Sequence, residues 1–218
     1  KKNSGYYCDY LFCYNKHVGE IYSQFISYKR IFVIGSFVSN SKKIEKNVDE
    51  SIVFISQWRP YKKANTHFTG NFTFGDWRRN EIPFLTRLSE YLRKKSLKIK
   101  IIGKASSVEG ERNFYKKIFN DNCIFIPQGY TRNHYKILDN SKLVISVDSS
   151  LAYESLARGN RTIFFSIRPD GFSKDIGRFC WPEIKADKGP NWSNEYNFEE
   201  FERLFSIMKI KDIEWSKI

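Results

Sequence analysis

Short apolar runs alternate with longer amphipathic stretches along the whole chain. Ile52–Ser56, Ile99–Ile102, Cys123–Ile126, Leu143–Val147 and Thr162–Ile167 are close to continuous in apolar residues, the pattern of strands covered on both faces. An earlier pair, Asp9–Tyr14 and Arg30–Ile34, brackets His17–Ile26, where Val18, Ile21, Tyr22 and Phe25 share a helical face. Glu81–Lys95 is the clearest predicted helix. Its stripe is Phe84, Leu85, Leu88, Tyr91 and Leu92, with Pro83 in the first turn. Glu109–Phe119, Arg132–Leu138, Leu151–Arg158 and a last helix from Phe198 to Met208 complete the set. Polar segments separate them: Ser39–Glu50, the long loop Tyr61–Asn80 and the irregular stretch Arg168–Asn197.

Strands alternating with helices predict an α/β fold, an open, mostly parallel Rossmann-like sheet with helices on both faces. The expected organisation is a leading β-α-β unit and linker over 1–50. A Rossmann-like domain follows over 51–197, with a C-terminal helix and tail over 198–218 packed upon it. The most compact unit is Leu143–Ile167: a strand, the turn Asp148-Ser149-Ser150, a helix, Gly159 as stop and a second strand. So short a connection implies parallel strands and a right-handed crossover.

In open parallel sheets the ligand binds outside the carboxyl ends of the strands. That rule gathers six turns into one expected crevice: Gly35-Ser36, Gln57 to Arg59, Gly103-Lys104, Gln128 to Tyr130, Asp148 to Ser150 and Ser166 to Arg168. The collection is hydroxyl-bearing and basic, and suits a nucleotide phosphate carrying a sugar. Ser149 and Ser150 open a helix, where free N–H groups and the helix dipole favour an anion. Simple capping is the competing role for them. Arg59 and Arg168 follow buried strands and can bind phosphate bidentately, and Lys104 supplies a point charge. Glu154, one turn into the same helix, can accept hydrogen bonds from ribose hydroxyls, and Gly35, Ser36, Gln57, Gly103 and Tyr130 fill the nucleotide side. No GxGxxG or GxxxxGK[ST] follows any strand, which removes support for dinucleotide oxidoreductases and P-loop enzymes.

Composition narrows the field. The 218 residues are 41% hydrophobic and 17% aromatic, enough for a substantial core. No apolar run approaches the roughly 20 residues of a membrane span, and the first residues lack the apolar centre of a signal peptide. The chain begins without Met, as a fragment or trimmed chain would. Its net charge is +13, from 37 basic and 24 acidic residues, which attracts phosphorylated substrates, anionic membrane or nucleic acid. The Lys and Arg are spread along the length, so nucleic acid is the less expected partner. Four cysteines without CxxC spacing and three scattered histidines point to reduced thiols, no metal site and a cytoplasmic protein.

The ordered segments FVIGSF, IVFISQWR, KIKIIGK, YKILDNSKLVISVDSSLAYESLARGNRTIFFSIR and GRFCWPEI with GPNWS resemble bacterial surface-carbohydrate biosynthesis proteins. These are glycosyltransferases of the two-domain GT-B fold, and the resemblance is to their carboxyl-terminal, donor-binding half. It implies a nucleotide-sugar donor (a CMP- or NDP-sugar), a glycan or lipid-linked acceptor, no cofactor, and work at the cytoplasmic face of an anionic membrane. Ser149 and Ser150 would face donor phosphate, and Glu154 the ribose or sugar. No metal is implied, because helix dipoles and basic side chains can stabilise the leaving phosphate. An amino-terminal acceptor domain, where such enzymes often carry the base, does not fit in these residues, so no catalytic residue is assigned. The alternatives are a non-catalytic module binding nucleotides or anionic glycans, a basic nucleic-acid-binding protein, and a nucleotide-sugar epimerase of the same architecture.

Overall fold

The computed structural model describes residues 5–44, 47, 49–58, 67–69, 72–104, 108–127, 134–167 and 187–217. The chain divides into two units, Lys1–Ile44 and Glu45–Ile218. In the first, β1 (Tyr6–Cys13) and β2 (Ile26–Val33) pair in parallel across α1 (Lys16–Tyr22), and α2 (Phe37–Asn40) follows. Asn15 caps α1 by accepting the Val18 N–H at 2.8 Å. Gly19 presses on the sheet so closely that a Cβ there would come within 2.6 Å of Ile31. The helix is shorter than its hydrophobic pattern predicts, and Tyr22 and Phe25 are exposed rather than forming a packed stripe.

The second unit holds the seven-stranded sheet. Its strands are β3 (Ile52–Ile55), β6 (Ile99–Ile102), β7 (Cys123–Ile126), β8 (Leu143–Ser146), β9 (Thr162–Phe165) and the short β10 (Lys188–Gly189) and β11 (Trp192–Ser193). They lie in the order β10-β11-β9-β8-β3-β6-β7, and only β10 runs antiparallel. A separate antiparallel pair, β4 (His67–Thr69) with β5 (Phe72–Thr73), precedes α3 (Phe74–Lys94).

Side chains alternate between two cores, as the pleat requires. Ile52, Phe54, Ile99, Ile101, Leu143, Ile145, Ile163 and Phe165 meet α3, α4 (Val108–Phe119) and α7 (Phe198–Phe205). Val53, Ile55, Val144 and Phe164 meet α5 (His134–Asp139) and α6 (Ser150–Ala157) on the opposite face. Phe84 centres the first core, with ring centroids 5.0 Å from Phe165 and 5.8 Å from Tyr196. Helices thus cover both faces of a mostly parallel sheet, a Rossmann-type α/β fold. Among the described residues no helix is long and apolar enough to cross a membrane.

Two sequence expectations need correction. The helix predicted over Glu81–Lys95 begins at Phe74, inside the expected loop. Thr73 and Asp76 form a reciprocal capping box there, the Asp76 N–H donating to Thr73 Oγ1 at 3.2 Å and the Thr73 N–H to Asp76 Oδ2 at 2.9 Å. Pro83 consequently sits mid-helix, not in the first turn. Gly35 and Ser36 follow β2, which belongs to the separate two-stranded sheet, so they are not on the carboxyl edge of the seven-stranded one. Ser36 instead caps α2, accepting the Ser39 N–H at 3.2 Å.

The C-terminal end is tied down through Arg203. Its guanidinium donates to the Gly189 and Trp192 carbonyls at 2.8 and 3.0 Å and to Glu200 Oε2 at 2.6 Å. Burial alone would raise the Glu200 carboxyl, but hydrogen bonds from Arg203 and Ser193 outweigh it and hold it below its ordinary value. A lowered folded-state value stabilises the fold above the unfolded carboxylate value near ~4.3 and loses that contribution as pH falls through the folded value. Glu200→Gln is therefore expected to be less stable than the parent at neutral pH, with the gap closing below about pH 4. Urea denaturation at pH 7, 5, 4 and 3 checks it.

Candidate functional site

The five central strands enter in the chain order β3, β6, β7, β8, β9 but lie in space as β9-β8-β3-β6-β7. The chain winds outward from β3 in one direction, then returns to β3's other side and winds the opposite way. Between β3 and β8 the order reverses, the place where open parallel sheets form their ligand crevice. The turns beside it are Ser56-Gln57-Trp58 and Val147-Asp148-Ser149, with Gly103-Lys104 next to the former and Ser166-Ile167 next to the latter. Of the sequence-predicted residues, Gln57, Gly103, Lys104, Ser149, Ser150 and Glu154 belong to this edge. Arg59, Tyr130 and Arg168 lie outside the described residues.

The β8 turn does not use its serine as a helix cap. Buried Ser146 accepts the Ser149 N–H on its hydroxyl at 3.2 Å, which fixes the turn from below. Ser149 is the N-cap residue of the eight-residue α6, yet its side chain makes no capping hydrogen bond. Asn15, Thr73 and Asn197 do cap their helices. The α6 start therefore keeps its positive dipole end without a side-chain oxygen from Ser149 upon it.

One turn further on, Glu154 is half-buried, and the Tyr135 hydroxyl donates to its Oε2 at 2.6 Å. The guanidinium of Arg158 lies 5.1 Å from the Tyr135 ring centre, a cation–π contact. Arg158 in turn makes a buried two-pronged pair with Asp139, Nε to Oδ1 at 2.8 Å and Nη2 to Oδ2. That hydrogen bonding drives the Arg158 value above its usual range. Asn160 joins through Nδ2 to Asp139 Oδ1 at 3.0 Å. Asn160 and Asn191 sit in glycosylation-like triplets, but both have structural work: Asn160 is buried, and Asn191 donates to the Thr162 carbonyl at 3.2 Å. At the start of α5, burial lowers His134 below its ordinary value, so the imidazole is neutral at pH 7.

The β3 and β6 turns hold residues that the sequence reading passed over. Ser56, Tyr115 and Glu111 are buried and hydrogen-bonded together. Glu81, buried in α3, is close enough to act on Tyr115: burial first, and the Glu81 charge second, push that phenol well above its ordinary value. A signal existed for both acids. Glu81 stands on the stripe of Phe84, Leu85 and Leu88, and Glu111 on that of Tyr115 and Phe119, so each carboxylate breaks an apolar face at helical spacing.

A family model described as "putative O-antigen biosynthesis protein" matches residues 1–218, and the chain belongs to that family. A search of curated proteins found no match. Among solved structures, the wall teichoic acid polymerase TagF superposes with a TM-score of 0.53 at 13% identity, covering 96% of this chain and 52% of TagF. TarM gives a TM-score of 0.47 at 16% identity, covering 94% of this chain and 38% of its own. The chain thus spans about half the length of TagF. At such identities the likeness is one of fold.

Two substitutions separate site from scaffold. Ser149→Ala is expected to shift stability by less than about 0.5 kcal/mol, where loss of a capping serine would cost ~1 kcal/mol. Arg158→Ala, which strands the buried Asp139 carboxylate, is expected to cost about 3–5 kcal/mol. Urea denaturation of each variant against the parent gives both values.

Proposed function

We propose that this chain is the donor-binding part of a glycosyltransferase that builds O-antigen-type surface glycan. The nucleotide-sugar would lie in the crevice between β3 and β8. The observation that carries this reading is the start of α6, where the N-cap Ser149 makes no capping hydrogen bond, at the point where the strand order reverses. The family supports the glycan pathway. TagF, which shares the fold, has been solved with CDPG, which supports a nucleotide-activated donor.

In this reading the donor's phosphates rest on the α6 amides and the two hydroxyls, with Lys104, Arg59 and Arg168 adding positive charge. Glu154, oriented by Tyr135, accepts from the ribose hydroxyls. Gln57 and Gly103 flank the nucleoside. An acceptor hydroxyl attacks the anomeric carbon and gives up its proton to a general base, while the bond from that carbon to the phosphate oxygen breaks. The electron pair goes to the nucleotide, whose new charge the helix start and the cations stabilise without a metal. The acceptor is a glycan or lipid-linked glycan, and the +13 charge draws the protein to an anionic cytoplasmic membrane face.

A thermal-shift screen over CMP, UDP, GDP and dTDP is expected to show one nucleotide raising the midpoint, since a ligand specific to the native state stabilises it by mass action. Calorimetry with that nucleotide should find Ser149→Ala and Glu154→Ala each weaker by about tenfold, the loss of one good hydrogen bond to a charged or ribose oxygen. A chelator should leave the affinity unchanged. Unaltered binding by both variants would remove the nucleotide from this crevice.

A further inference from the structure

Glu111 is fully buried one turn into α4, and its carboxylate faces two different strand-end turns. From the β6 turn, the Lys104 N–H is shared between Oε1 and Oε2 at 2.9 and 3.0 Å. From the β3 turn, the Ser56 hydroxyl donates to Oε1. Ser56 is itself saturated: its oxygen accepts from the Tyr115 hydroxyl at 2.8 Å and from the Trp58 N–H at 3.1 Å. One buried anion thus ends a chain that begins at Tyr115 and fixes the backbone of both turns.

The local sequence fits around that anion. A Cβ on Gly103 would come within 2.6 Å of the Phe125 ring and 3.2 Å of Glu111 Oε2, so glycine is required directly before Lys104. The Trp58 ring lies against Gly110, where a Cβ would stand 3.4 Å from it. Burying a carboxylate costs about as much as its hydrogen bonds return, and an apolar residue of that shape would serve stability as well. What the carboxylate adds is geometry. It holds Lys104 in one backbone direction and ties it to the turn that carries Gln57.

We infer that Glu111 is a positioning residue: it locks the turns after β3 and β6 into one rigid wall of the crevice, so that nucleotide affinity depends on a carboxylate that touches no nucleotide. The consequence for affinity rests on the donor-binding reading above; the locking of the turns does not.

The experiment uses the full chain labelled with 15N-lysine, as parent, Glu111→Gln and Tyr115→Phe. Each is followed by the Lys104 amide signal and its hydrogen exchange, and by calorimetry with CMP, UDP, GDP and dTDP. Glu111→Gln keeps the shape but turns an amide donor toward the Lys104 N–H. It is expected to move that amide signal, speed its exchange by about tenfold or more, and weaken nucleotide binding by about tenfold, while other lysine amides stay in place. Tyr115→Phe removes only the far donor of the chain and should weaken binding by about threefold. A Lys104 amide unchanged in Glu111→Gln, or affinity within about twofold of the parent in both variants, overturns the inference. If Glu111→Gln does not fold, Tyr115→Phe decides by the same two readouts. A parent that binds none of the four nucleotides refutes the donor reading, while the Lys104 amide still decides whether Glu111 holds the turn.

Discussion

The pairing of β3 with β8 on one side and β6 on the other governs the second unit. All four residues of β3 are buried, Phe54 and Ile52 into one core and Val53 and Ile55 into the other. A strand covered on both faces cannot present chemistry along its length, so polar function is displaced to the turn where it ends. Because the chain winds away from β3 in opposite directions, that turn borders the place where such sheets open to a ligand. Ser149, Gln57, Lys104 and Glu154 come from segments almost a hundred residues apart, and this single topological fact assembles them.

Two buried polar systems hold the walls of that opening. On the β8 side, Asp139, Arg158 and Asn160 brace α5 against α6, and Tyr135 passes the bracing on to Glu154. On the β3 side, Glu111 binds Ser56 and Lys104. Neither system is needed for burial of apolar surface, which the Phe84 and Phe164 clusters supply on either face. Buried charge of this kind is a poor source of net stability, and its effect is to leave one geometry in place of several.

Much of the fold was legible in the sequence because strands covered on both faces read as plain apolar runs, and Ile52–Ile55, Ile99–Ile102 and Leu143–Ser146 fall where those runs do. The first helix of the large unit was misjudged for a physical reason: Pro83 read as a helix start, whereas the Thr73 and Asp76 capping box that sets the true start lay in a stretch dominated by loop-forming residues. That β1 and β2 form a sheet of their own was not legible, because a β-α-β pattern shows parallel strands but not which sheet they join. For the site, hydroxyls and cations after strands were readable from position alone. Glu111, Glu81 and Tyr135 were not, since Tyr135 meets Glu154 from 19 residues away and Glu111 meets Ser56 from 55, although an acid on an apolar stripe was a usable sign for the first two.

The account stands on the crevice between β3 and β8 as the place where a phosphate-bearing donor binds. A co-crystal structure with a nucleoside diphosphate tests that most directly. The account predicts phosphate oxygens within about 3 Å of the amides at the α6 start, beside Ser149 and Ser150, with ribose toward Glu154 and the base toward the Gln57 turn. Phosphates seated instead on the α3 and α7 surface, or at the amino ends of the strands, would contradict it.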